Sequence, residues 1–304
     1  MSDPFGGIAG VLAAEPLAKH SQFGVGGPAQ WFAQVADEAA LRALVLRARD
    51  SGVPLTMLGA GSNTLILDGG VRGLVVRYDD RSFTASDGVV MLGGGCMMPR
   101  AALDCARRGL AGVEFGIGVP GTCGASVYGN AGAFGAEIAD VLVDCDAMAP
   151  DGEVQTLDNA ACRFAYRFSA FKNSFAGNVV IRARFRVTPD DAASVRRRTD
   201  DIQRQRKASQ PYGIRSLGSV FKNPPGDAAG RLIEACGLKG MRWGGAQIAE
   251  KHANFIVNVE RATAADVLEL VRRAHDKVAE RFGVDLEREI VVVGEPALSA
   301  TGIA

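Results

Sequence analysis

The stretch GIGVPGTCGASVYGNAGAFGAEI, residues 116–138, decides the fold class of this chain. Eight glycines fall within residues 112–135, and glycine lets a backbone lie against a ligand with no Cβ in the way. A shorter glycine loop, GAGSNT, occupies residues 59–64. Successive N–H groups in such loops can form a concave anion site. The two loops predict a long ligand with two phosphates, bound between two small lobes. The alternative is that the glycines only form tight turns in a strand-rich domain.

Two short glycine-rich segments, residues 24–29 and 59–64, partly match a dinucleotide-binding Rossmann motif, but neither has its structural context. Residues 24–29, GVGGPA, satisfy G-x-G-x-x-A, but residues 30–35 alternate like a strand. The loop at residues 59–64 also leads into a strand-like run, whereas the Rossmann mechanism places a helix N-terminus at the pyrophosphate. The sequence contains no P-loop, H-E-x-x-H or G-x-S-x-G motif.

The composition is typical of a soluble globular protein with two domains. The chain has 304 residues, of which 47% are apolar, and at about 150 residues per domain this length favours two. The 34 Lys and Arg balance 34 Asp and Glu, which removes the main argument for a nucleic-acid or anionic-membrane partner. No apolar run approaches the ~20 residues of a membrane span, and the first residues lack a signal-peptide pattern. We therefore expect a cytoplasmic protein that binds neither nucleic acid nor membrane.

The spacing of cysteine and histidine predicts no metal site and no redox dithiol. None of the six cysteines forms C-x-x-C, and the three histidines are scattered, unlike zinc-binding or thioredoxin-like patterns. In a cytoplasmic protein we expect reduced and mostly buried thiols. The residues are Cys96, Cys105, Cys123, Cys145, Cys162, Cys236, His20, His252 and His275.

Hydrophobic periodicity predicts a mixture of strand pairs and helices, an α+β pattern rather than a regular βαβ repeat. Thr263 and Asp266 stand in capping-box spacing, which predicts that a helix begins there. A basic helix over residues 190–207 separates two halves, and its arginines favour a solvated face or interdomain strut over a ligand surface. The other predicted helices cover residues 39–49, 99–108 and 228–235, and the predicted strands cover residues 53–58, 65–67, 74–77, 89–92, 141–148, 154–157, 179–187, 253–259 and 290–293.

Five motifs, in order along the chain, resemble the UDP-N-acetylenolpyruvoylglucosamine reductase family. Each motif alone is weak, but together they span about residues 20–294 and are specific. They are the first flavin loop LGAGSNTL with DGG (58–65 and 68–70), the second loop (116–138), the Y-R-x-S-like segment YRFSAFK (166–172), the substrate-domain segments GSVFKNP, GRLIE and KHANFIVN (218–224, 230–234 and 251–258), and LEREI (286–290).

The resemblance implies an α+β fold with two domains. Residues 1–190 are expected to form an FAD-binding domain of the vanillyl-alcohol-oxidase-like (PCMH) type, with lobes at about residues 1–78 and 79–190. Residues 191–304 are expected to form an α/β domain that binds the UDP-sugar substrate. The short spacing from Arg167 to Ser219 resembles the subtype that lacks an extra substrate-capping segment.

The resemblance also implies an oxidoreductase of peptidoglycan precursor synthesis, and hence of cell wall biogenesis and cell division. In that family, NADPH reduces non-covalently bound FAD, and UDP-N-acetylglucosamine enolpyruvate is reduced to UDP-N-acetylmuramate. We expect a monomer whose partners are these two small molecules. One alternative is an FAD-dependent alcohol or sugar oxidase of the same fold. Another is a non-catalytic nucleotide-binding protein that interacts through residues 196–198 of its basic helix.

Three catalytic residues follow from the resemblance. Hydride addition to the enolpyruvyl methylene leaves negative charge on the adjacent carbon and carboxylate, which needs fixed cationic and hydrogen-bonding partners. By family correspondence Arg167 and Glu289 are these partners, and Ser219 is the proton donor. On spacing alone, Ser219 could shape a turn, Arg167 could form a surface ion pair and Glu289 could point to solvent. The motif set favours the catalytic roles, whereas His252 is interpreted as structural.

Binding residues are carried over in the same way. Asn223 matches a residue that the family uses on the nucleotide diphosphate, and Lys222 and Arg231 are added on charge and proximity. Tyr166 completes the substrate set. The residues expected to bind FAD are Gly59, Ala60, Gly61, Ser62, Asn63, Thr64, Val119, Pro120, Gly121, Thr122, Gly124, Ala125, Ser126, Asn130, Ala131 and Gly132.

The second loop departs from the family pattern at three small residues. Ala125 and Gly129 stand where the family often has Gly and Met, and Cys123 stands where it usually has an aliphatic residue. Related flavin oxidases attach FAD through Cys or His, so a covalent link at Cys123 is one alternative. We expect instead that Cys123 is a small buried hydrophobe.

Overall fold

The computed structural model describes residues 4–297, and their contacts group into two compact units. The first unit comprises the residues up to Leu12, Phe32–Ala60 and Gly73–Arg206. The second comprises Ala13–Trp31, Gly61–Arg72 and the residues from Lys207 onward. This grouping differs from the predicted continuous domains 1–190 and 191–304, because two N-terminal segments belong to the second unit.

Runs of short strands are separated by helices along the described part of the chain. The helices are α1 Glu38–Asp50, α2 Met98–Arg107, α3 Cys123–Gly129, α4 Ile138–Val141, α5 Ala192–Ser209, α6 Ala229–Ala235 and α7 Ala264–Phe282, with 3₁₀ turns at Leu17–His20, Glu114–Gly118 and Ala170–Lys172. The strands are β1 Val11–Pro16, β2 Pro28–Val35, β3 Leu55–Met57, β4 Thr64–Ile66, β5 Val71–Tyr78, β6 Phe83–Ser86, β7 Val89–Gly93, β8 Leu110–Ala111, β9 Gly132–Ala133, β10 Ala136–Glu137, β11 Leu142–Met148, β12 Val154–Asp158, β13 Val179–Arg186, β14 Thr188–Pro189, β15 Ser216–Ser219, β16 Arg242–Trp243, β17 Ala246–Ile248, β18 Phe255–Asn258 and β19 Val291–Val293.

The first unit contains a five-stranded antiparallel sheet in the order β12-β11-β13-β7-β6. Helix α3 packs against β13 and β7 of this sheet, and helix α2 packs against the 3₁₀ turn Glu114–Gly118 and β8. Buried residues of both helices and of the sheet belong to one hydrophobic core. Strand β3 pairs in parallel with β5, within a four-stranded sheet of order β1-β2-β5-β3. Core residues near the large sheet include Val90, Leu92, Met98, Phe115, Val127, Leu142 and Phe185.

The second unit is built on an antiparallel sheet in the order β15-β18-β17-β16. Helix α7 covers the sheet because its apolar residues recur at helical spacing. Strand β4, which follows the first glycine loop, pairs in parallel with the C-terminal strand β19. The core of the unit includes Phe23, Leu65, Leu217, Ile248, Ile256, Val267, Leu270, Val271, Ala274 and Val278.

Most predicted elements are confirmed, with ends shifted by one or two residues. The elements that are not predicted are helices α3 and α4 and strands β1, β6, β8, β9, β10, β14, β15, β16 and β17. Helix α3 has two glycines among its seven residues, and glycine disfavours helix. It forms because Thr122 caps it and because Cys123 and Val127 are fully buried. The strand-like pattern at residues 30–35 is confirmed as part of β2, so residues 24–29 lead into a strand and not a helix.

The arginines of α5 lie on a solvated face, as expected. Arg196 pairs with Asp200 at 2.9 Å on the same helix, and Arg198 pairs with Glu114 and Asp190. Within residues 4–297, no helix is long and apolar enough to cross a membrane. The same residues contain no cluster of three His, Cys, Asp or Glu that could hold a metal ion.

Helix α7 begins at the predicted capping box. The Thr263 hydroxyl accepts from Asp266 N–H at 3.1 Å, and the Asp266 carboxylate accepts from Thr263 N–H at 2.9 Å. The Asp68 carboxylate also accepts from Ala264 N–H and Ala265 N–H, at 2.9 and 3.1 Å. These four hydrogen bonds to side-chain oxygens therefore satisfy the main-chain N–H groups of residues 263–266, which have no partner within the helix.

We expect Thr263→Ala to lower the free energy of unfolding by about 1 kcal/mol, because an N-cap hydroxyl contributes roughly that amount. Urea unfolding followed by circular dichroism measures the change. Thr84→Ala on the exposed part of β6 is the control and should change stability by less than about 0.5 kcal/mol. Equal effects of the two substitutions would contradict the capping role.

Candidate active site

Gly59, the first residue of the shorter glycine loop, lies against the second loop within the first unit. A Cβ built on Gly59 would lie 3.0 Å from the Thr122 Oγ1 and 3.2 Å from the Ala125 Cβ. Both distances are shorter than an ordinary van der Waals contact, so a larger residue at position 59 would require the second loop to shift slightly.

The second loop is held in place by main-chain hydrogen bonds to the turn that follows β7. Cys123 N–H donates to the Cys96 carbonyl at 2.7 Å, and Gly124 N–H donates to the Gly94 carbonyl at 2.9 Å. The Ser126 hydroxyl donates to the Thr122 carbonyl at 2.7 Å. These bonds hold the start of α3 in place independently of any ligand.

The loop residues fit a flavin nucleotide by size and exposure. In the first loop, Gly61 is buried with φ +63°, and a Cβ there would lie 2.6 Å from the His20 carbonyl oxygen. Its neighbours Ala60 and Ser62 are partly exposed. In the second loop, Ala125 is exposed while Thr122 and Ser126 are buried. Both loops thus present small side chains and backbone on their accessible side, which suits close approach of a long phosphorylated ligand.

Asn130 ends α3 and ties the second loop to the turn that carries Arg167. It has φ +45° and is fully buried. Its amide nitrogen donates to the Glu137 carboxylate at 2.8 Å and to the Ala165 carbonyl at 3.0 Å. Its amide oxygen accepts from Ala139 N–H at 3.0 Å. The Asn130 side chain therefore supports the loop from inside and is not available on the accessible surface.

Arg167 sits in a strained turn beside the second loop. Ala165 and Phe168 exchange backbone hydrogen bonds at 3.0–3.1 Å, and Arg167 between them has φ +55°. Its guanidinium donates to the Gly132 carbonyl at 3.2 Å and lies over the Tyr166 ring, 5.2 Å from the centroid. Backbone strain at a non-glycine residue is a feature of functional sites. The structure thus brings two predicted site residues, Arg167 and Tyr166, to the edge of the predicted flavin loop.

In the second unit, Ser219 lies immediately after a β-bulge. Ser216 pairs with Val257 and Ser219 pairs with Phe255, with a register shift between these pairs. Gly218 takes up the shift with φ +74°. Bulges occur next to active sites because the extra residue re-aims the following side chain.

Glu289 lies on a segment that is hydrogen-bonded to the residues after Ser219. Glu289 N–H donates to the Val220 carbonyl at 2.8 Å. The Asn63 amide of the first glycine loop donates to the Glu289 carbonyl at 3.0 Å, and Val291 N–H donates back to the Asn63 carbonyl at 2.9 Å. Within the second unit, hydrogen bonds therefore link the Glu289 segment both to Val220, which follows Ser219, and to Asn63 of the first loop.

The remaining predicted substrate residues surround the start of α6. The Asn223 side-chain oxygen accepts from Ala229 N–H at 3.1 Å. The Lys222 ammonium pairs with the Glu287 carboxylate. The Arg231 guanidinium hydrogen-bonds to the Asp227 carboxylate, which lowers the pKa of Asp227 to about 2. Lys222 and Arg231, the two cationic residues predicted to bind the diphosphate, thus each form an ion pair with an acidic residue in this structure.

One residue that the sequence did not single out as functional also contacts the Ser219 segment. Asn254 is 3% exposed, and both ends of its side-chain amide bond to the backbone of Phe221. It lies within KHANFIVN, but no local pattern reveals a partner 33 positions away.

Comparison with known proteins decides the family. A family model described as "UDP-N-acetylenolpyruvoylglucosamine reductase, C-terminal domain" matches residues 210–293, and an "FAD binding domain" model matches residues 29–158. UDP-N-acetylenolpyruvoylglucosamine reductase 2 of Symbiobacterium thermophilum is 44% identical over 286 residues, which cover 93% of this chain and 92% of that protein. This chain belongs to the UDP-N-acetylenolpyruvoylglucosamine reductase family.

Two further relatives agree with the family assignment. The UDP-N-acetylenolpyruvoylglucosamine reductase of Moorella thermoacetica is 42% identical and covers 94% of each chain. The crystal structure of the Thermus caldophilus reductase is 36% identical with a TM-score of 0.79, over 93% of this chain and 98% of that one. The predicted fold class is confirmed, and the chain is an FAD-dependent oxidoreductase of this family. The family assignment favours a reductase over the oxidase and the non-catalytic alternatives.

In this reductase-family chain, Cys123 and His252 have structural environments. Cys123 is fully buried with its sulfur 3.9 Å from the Leu92 carbonyl oxygen, and burial raises the pKa of its thiol well above the usual range. His252 lies edge-on to Phe255, and burial lowers its pKa. A buried neutral thiol is a poor nucleophile, which supports non-covalent FAD.

We expect Asn130→Asp to weaken FAD binding by at least tenfold at neutral pH. The new carboxylate would face the Glu137 carboxylate and the Ala165 carbonyl, to which the amide now donates, and losing two buried hydrogen bonds costs about 2–4 kcal/mol. Fluorescence titration of the apoprotein with FAD measures the affinity.

Asn159→Asp is the matched control for Asn130→Asp. The Asn159 amide likewise donates to two main-chain carbonyls, those of Ala139 and Leu142 at 2.8 and 2.9 Å, but it does not touch the Arg167 turn. It should lower stability while FAD affinity stays within threefold. Equal FAD affinities of the two variants would contradict the support that we assign to Asn130.

Proposed function

We propose that this chain catalyses the NADPH-dependent reduction of UDP-N-acetylglucosamine enolpyruvate to UDP-N-acetylmuramate, a reaction of peptidoglycan precursor synthesis. The observation that supports the proposal is that main-chain and amide hydrogen bonds link the segments that carry Ser219 and Glu289 to Asn63 within the second unit. Glu289 N–H donates to the carbonyl of Val220, the residue after Ser219, and the Asn63 amide donates to the Glu289 carbonyl. The segments of the proton donor and of the carboxyl group, which the family resemblance implies, are thereby joined to a residue of the first glycine loop.

When bound, FAD supplies the redox chemistry, in which two electrons from NADPH reach the enolpyruvyl methylene carbon as a hydride. The residues expected to hold it are those of the two glycine loops, among them Gly59, Ser62, Thr122 and Ala125. Their small side chains leave room for the nucleotide to approach the backbone. The hydrogen bonds at the start of α3 hold that backbone in place, so binding orders few residues.

Ser219 provides the proton that completes the reduction. After hydride addition, the neighbouring carbon carries negative charge and is a strong base, so even a weakly acidic hydroxyl can protonate it. The hydroxyl must lie close to that carbon, because proton transfer requires hydrogen-bond reach. The β-bulge before Ser219 orients its side chain, because Gly218 takes up the register shift between the paired strands.

Arg167 and Glu289 stabilise the charge that develops on the substrate carboxylate. A guanidinium binds a carboxylate through two parallel hydrogen bonds, which makes the contact both strong and directional. Arg167 is held for this role by its turn and by the Gly132 carbonyl. Glu289, in its protonated form, donates a hydrogen bond to the same charge. Fixed partners of this kind act on the transition state more than on the ground state.

Lys222, Asn223, Arg231 and Tyr166 bind the nucleotide part of the substrate. Lys222 follows the Ser219 turn by three residues, and its side chain is less exposed than that of Arg231. We therefore assign the larger share of diphosphate binding to Lys222. We further propose a cytoplasmic monomer that acts on these small molecules and engages neither nucleic acid nor membrane.

We expect Ser219→Ala to leave flavin reduction by NADPH within twofold of wild type and to slow flavin reoxidation by the enolpyruvyl nucleotide at least 1000-fold. The reason is that only flavin reoxidation by the enolpyruvyl nucleotide uses the proton that Ser219 donates. Anaerobic stopped-flow absorbance of the oxidised flavin band measures both rates separately. Ser216→Ala, on the same strand β15, is the control and should reoxidise like wild type. Unchanged reoxidation in Ser219→Ala would remove Ser219 from this role.

We expect Lys222→Ala to raise KM for the enolpyruvyl nucleotide by tenfold or more with a smaller effect on kcat. Arg231→Ala should raise KM by less than threefold, because Arg231 is exposed and already paired with Asp227, which precedes α6. Steady-state kinetics of both variants at fixed NADPH measure these values. The reverse order of effects would assign the diphosphate to Arg231.

A further inference from the structure

Asn254 makes three hydrogen bonds to the two residues that follow Ser219. Its side-chain oxygen accepts from Phe221 N–H at 2.9 Å, and its side-chain nitrogen donates to the Phe221 carbonyl at 2.8 Å. Its main-chain carbonyl accepts from Val220 N–H at 2.8 Å. All three bonds are shielded from water, since Asn254, Val220 and Phe221 are each at most 3% exposed.

The amide of Asn254 continues the sheet where the strand pairing stops. The backbone pairing of β15 with β18 ends at Ser219 and Phe255. Beyond this point the side chain of Asn254 presents one acceptor and one donor to Phe221, as a paired strand residue would. Only Asn and Gln side chains combine these two groups in one neutral amide, and the shorter Asn fits a position that is already buried.

The opposite edge of the same segment is bonded to the residues around Glu289. Lys222 N–H donates to the Glu287 carbonyl at 2.8 Å, Phe221 forms an antiparallel bridge with Arg288, and Glu289 N–H donates to the Val220 carbonyl. The residues after Ser219 therefore lie between the Asn254 amide on one side and the Glu289 segment on the other.

We propose that Asn254 is a positioning residue, which fixes the backbone after Ser219 so that the hydroxyl is aimed at the substrate carbon. This inference rests on the proposed function, in which Ser219 donates the proton. Asn254 acts through the Val220 and Phe221 backbone and does not touch the substrate. Its loss should therefore slow proton transfer while leaving flavin reduction intact.

The test compares Asn254→Asp with Asn254→Ala in the FAD-loaded protein. At neutral pH the carboxylate of Asn254→Asp repels the Phe221 carbonyl, to which the amide donates. We expect reoxidation by the enolpyruvyl nucleotide to be at least 30-fold slower than wild type, with flavin reduction by NADPH within twofold. Asn254→Ala should slow reoxidation at least tenfold.

Acidification should rescue Asn254→Asp and leave Asn254→Ala slow. A protonated carboxyl group can donate to the Phe221 carbonyl and accept from Phe221 N–H, so it restores both bonds. We expect the ratio of variant to wild-type reoxidation rates to rise at least fivefold as the carboxyl group protonates. The titratable group facing position 254 is His252, whose Nδ1 accepts from Asn254 N–H at 3.3 Å, and Lys239 and Glu234 act on His252. Asn254→Ala keeps all three, so it reports any effect of their titration.

Asn258→Asp is the matched control, because Asn258 is the last residue of β18 and Asn254 directly precedes this strand. The Asn258 amide accepts from Ala262 N–H and donates to the Phe23 carbonyl, both at 3.0 Å, so it has the same chemistry away from Ser219. We expect Asn254→Asp and Asn258→Asp to lower the melting temperature by similar amounts, but only Asn254→Asp to slow reoxidation. Calorimetric titration with UDP-N-acetylglucosamine should give affinities within threefold of wild type for both.

Three results would overturn the inference. The first is that Asn254→Asp is reoxidised at the wild-type rate, and the second is that Asn258→Asp is slowed equally. The third is that every Asn254 variant fails to fold while Asn258→Asp folds, which would make Asn254 a stability residue only. Failure of the proposed function looks different, because then the wild-type protein itself would not be reoxidised by the enolpyruvyl nucleotide. Normal reoxidation of Ser219→Ala would likewise refute the Ser219 role and not the bonding of Asn254.

Discussion

The hydrogen bond from the Asn63 amide to the Glu289 carbonyl joins residues 226 positions apart in the chain. Beside it, Val291 N–H donates back to the Asn63 carbonyl, and the parallel pair β4–β19 continues from this point into the core through the fully buried Leu65. The first glycine loop is thereby fixed to the segment that carries Glu289. This bond, the return bond from Val291 and the β4–β19 pairing together hold the loop beside the Glu289 segment.

At three places in the candidate site, an asparagine side-chain amide hydrogen-bonds to main-chain groups outside regular strand or helix pairing. Asn63 bonds the first loop to the Glu289 segment, Asn130 bonds the second loop to the Arg167 turn, and Asn254 bonds to the Ser219 segment. The reason is that an amide offers a donor and an acceptor without charge, so its burial carries no cost of an unpaired ion. Loops rich in glycine gain rigidity in this way without bulk near the ligand.

The elements of this fold with strong periodicity could be predicted from the sequence, and those that depend on long-range contacts could not. Helix α7 was predicted because its capping box and apolar stripe are local signals. Helix α3 was missed because its glycines disfavour helix and its stability comes from burial. Ser219, Arg167 and Glu289 could be proposed from ordered motifs, whereas the bonds of Asn254 connect strands that no local pattern relates. The grouping of residues 13–31 and 61–72 with the C-terminal third escaped prediction for the same reason.

That grouping has a consequence for how the protein is made on the ribosome. The segments ending at Arg72 must wait for Lys207 and later residues to be synthesised before they find their partners, a delay on the order of ten seconds at ordinary translation speeds. During this time apolar residues such as Phe23 and Leu65, which end up fully buried, are exposed on the nascent chain. The second unit can therefore close only late in translation, and this interval is when the growing chain most needs protection by chaperones.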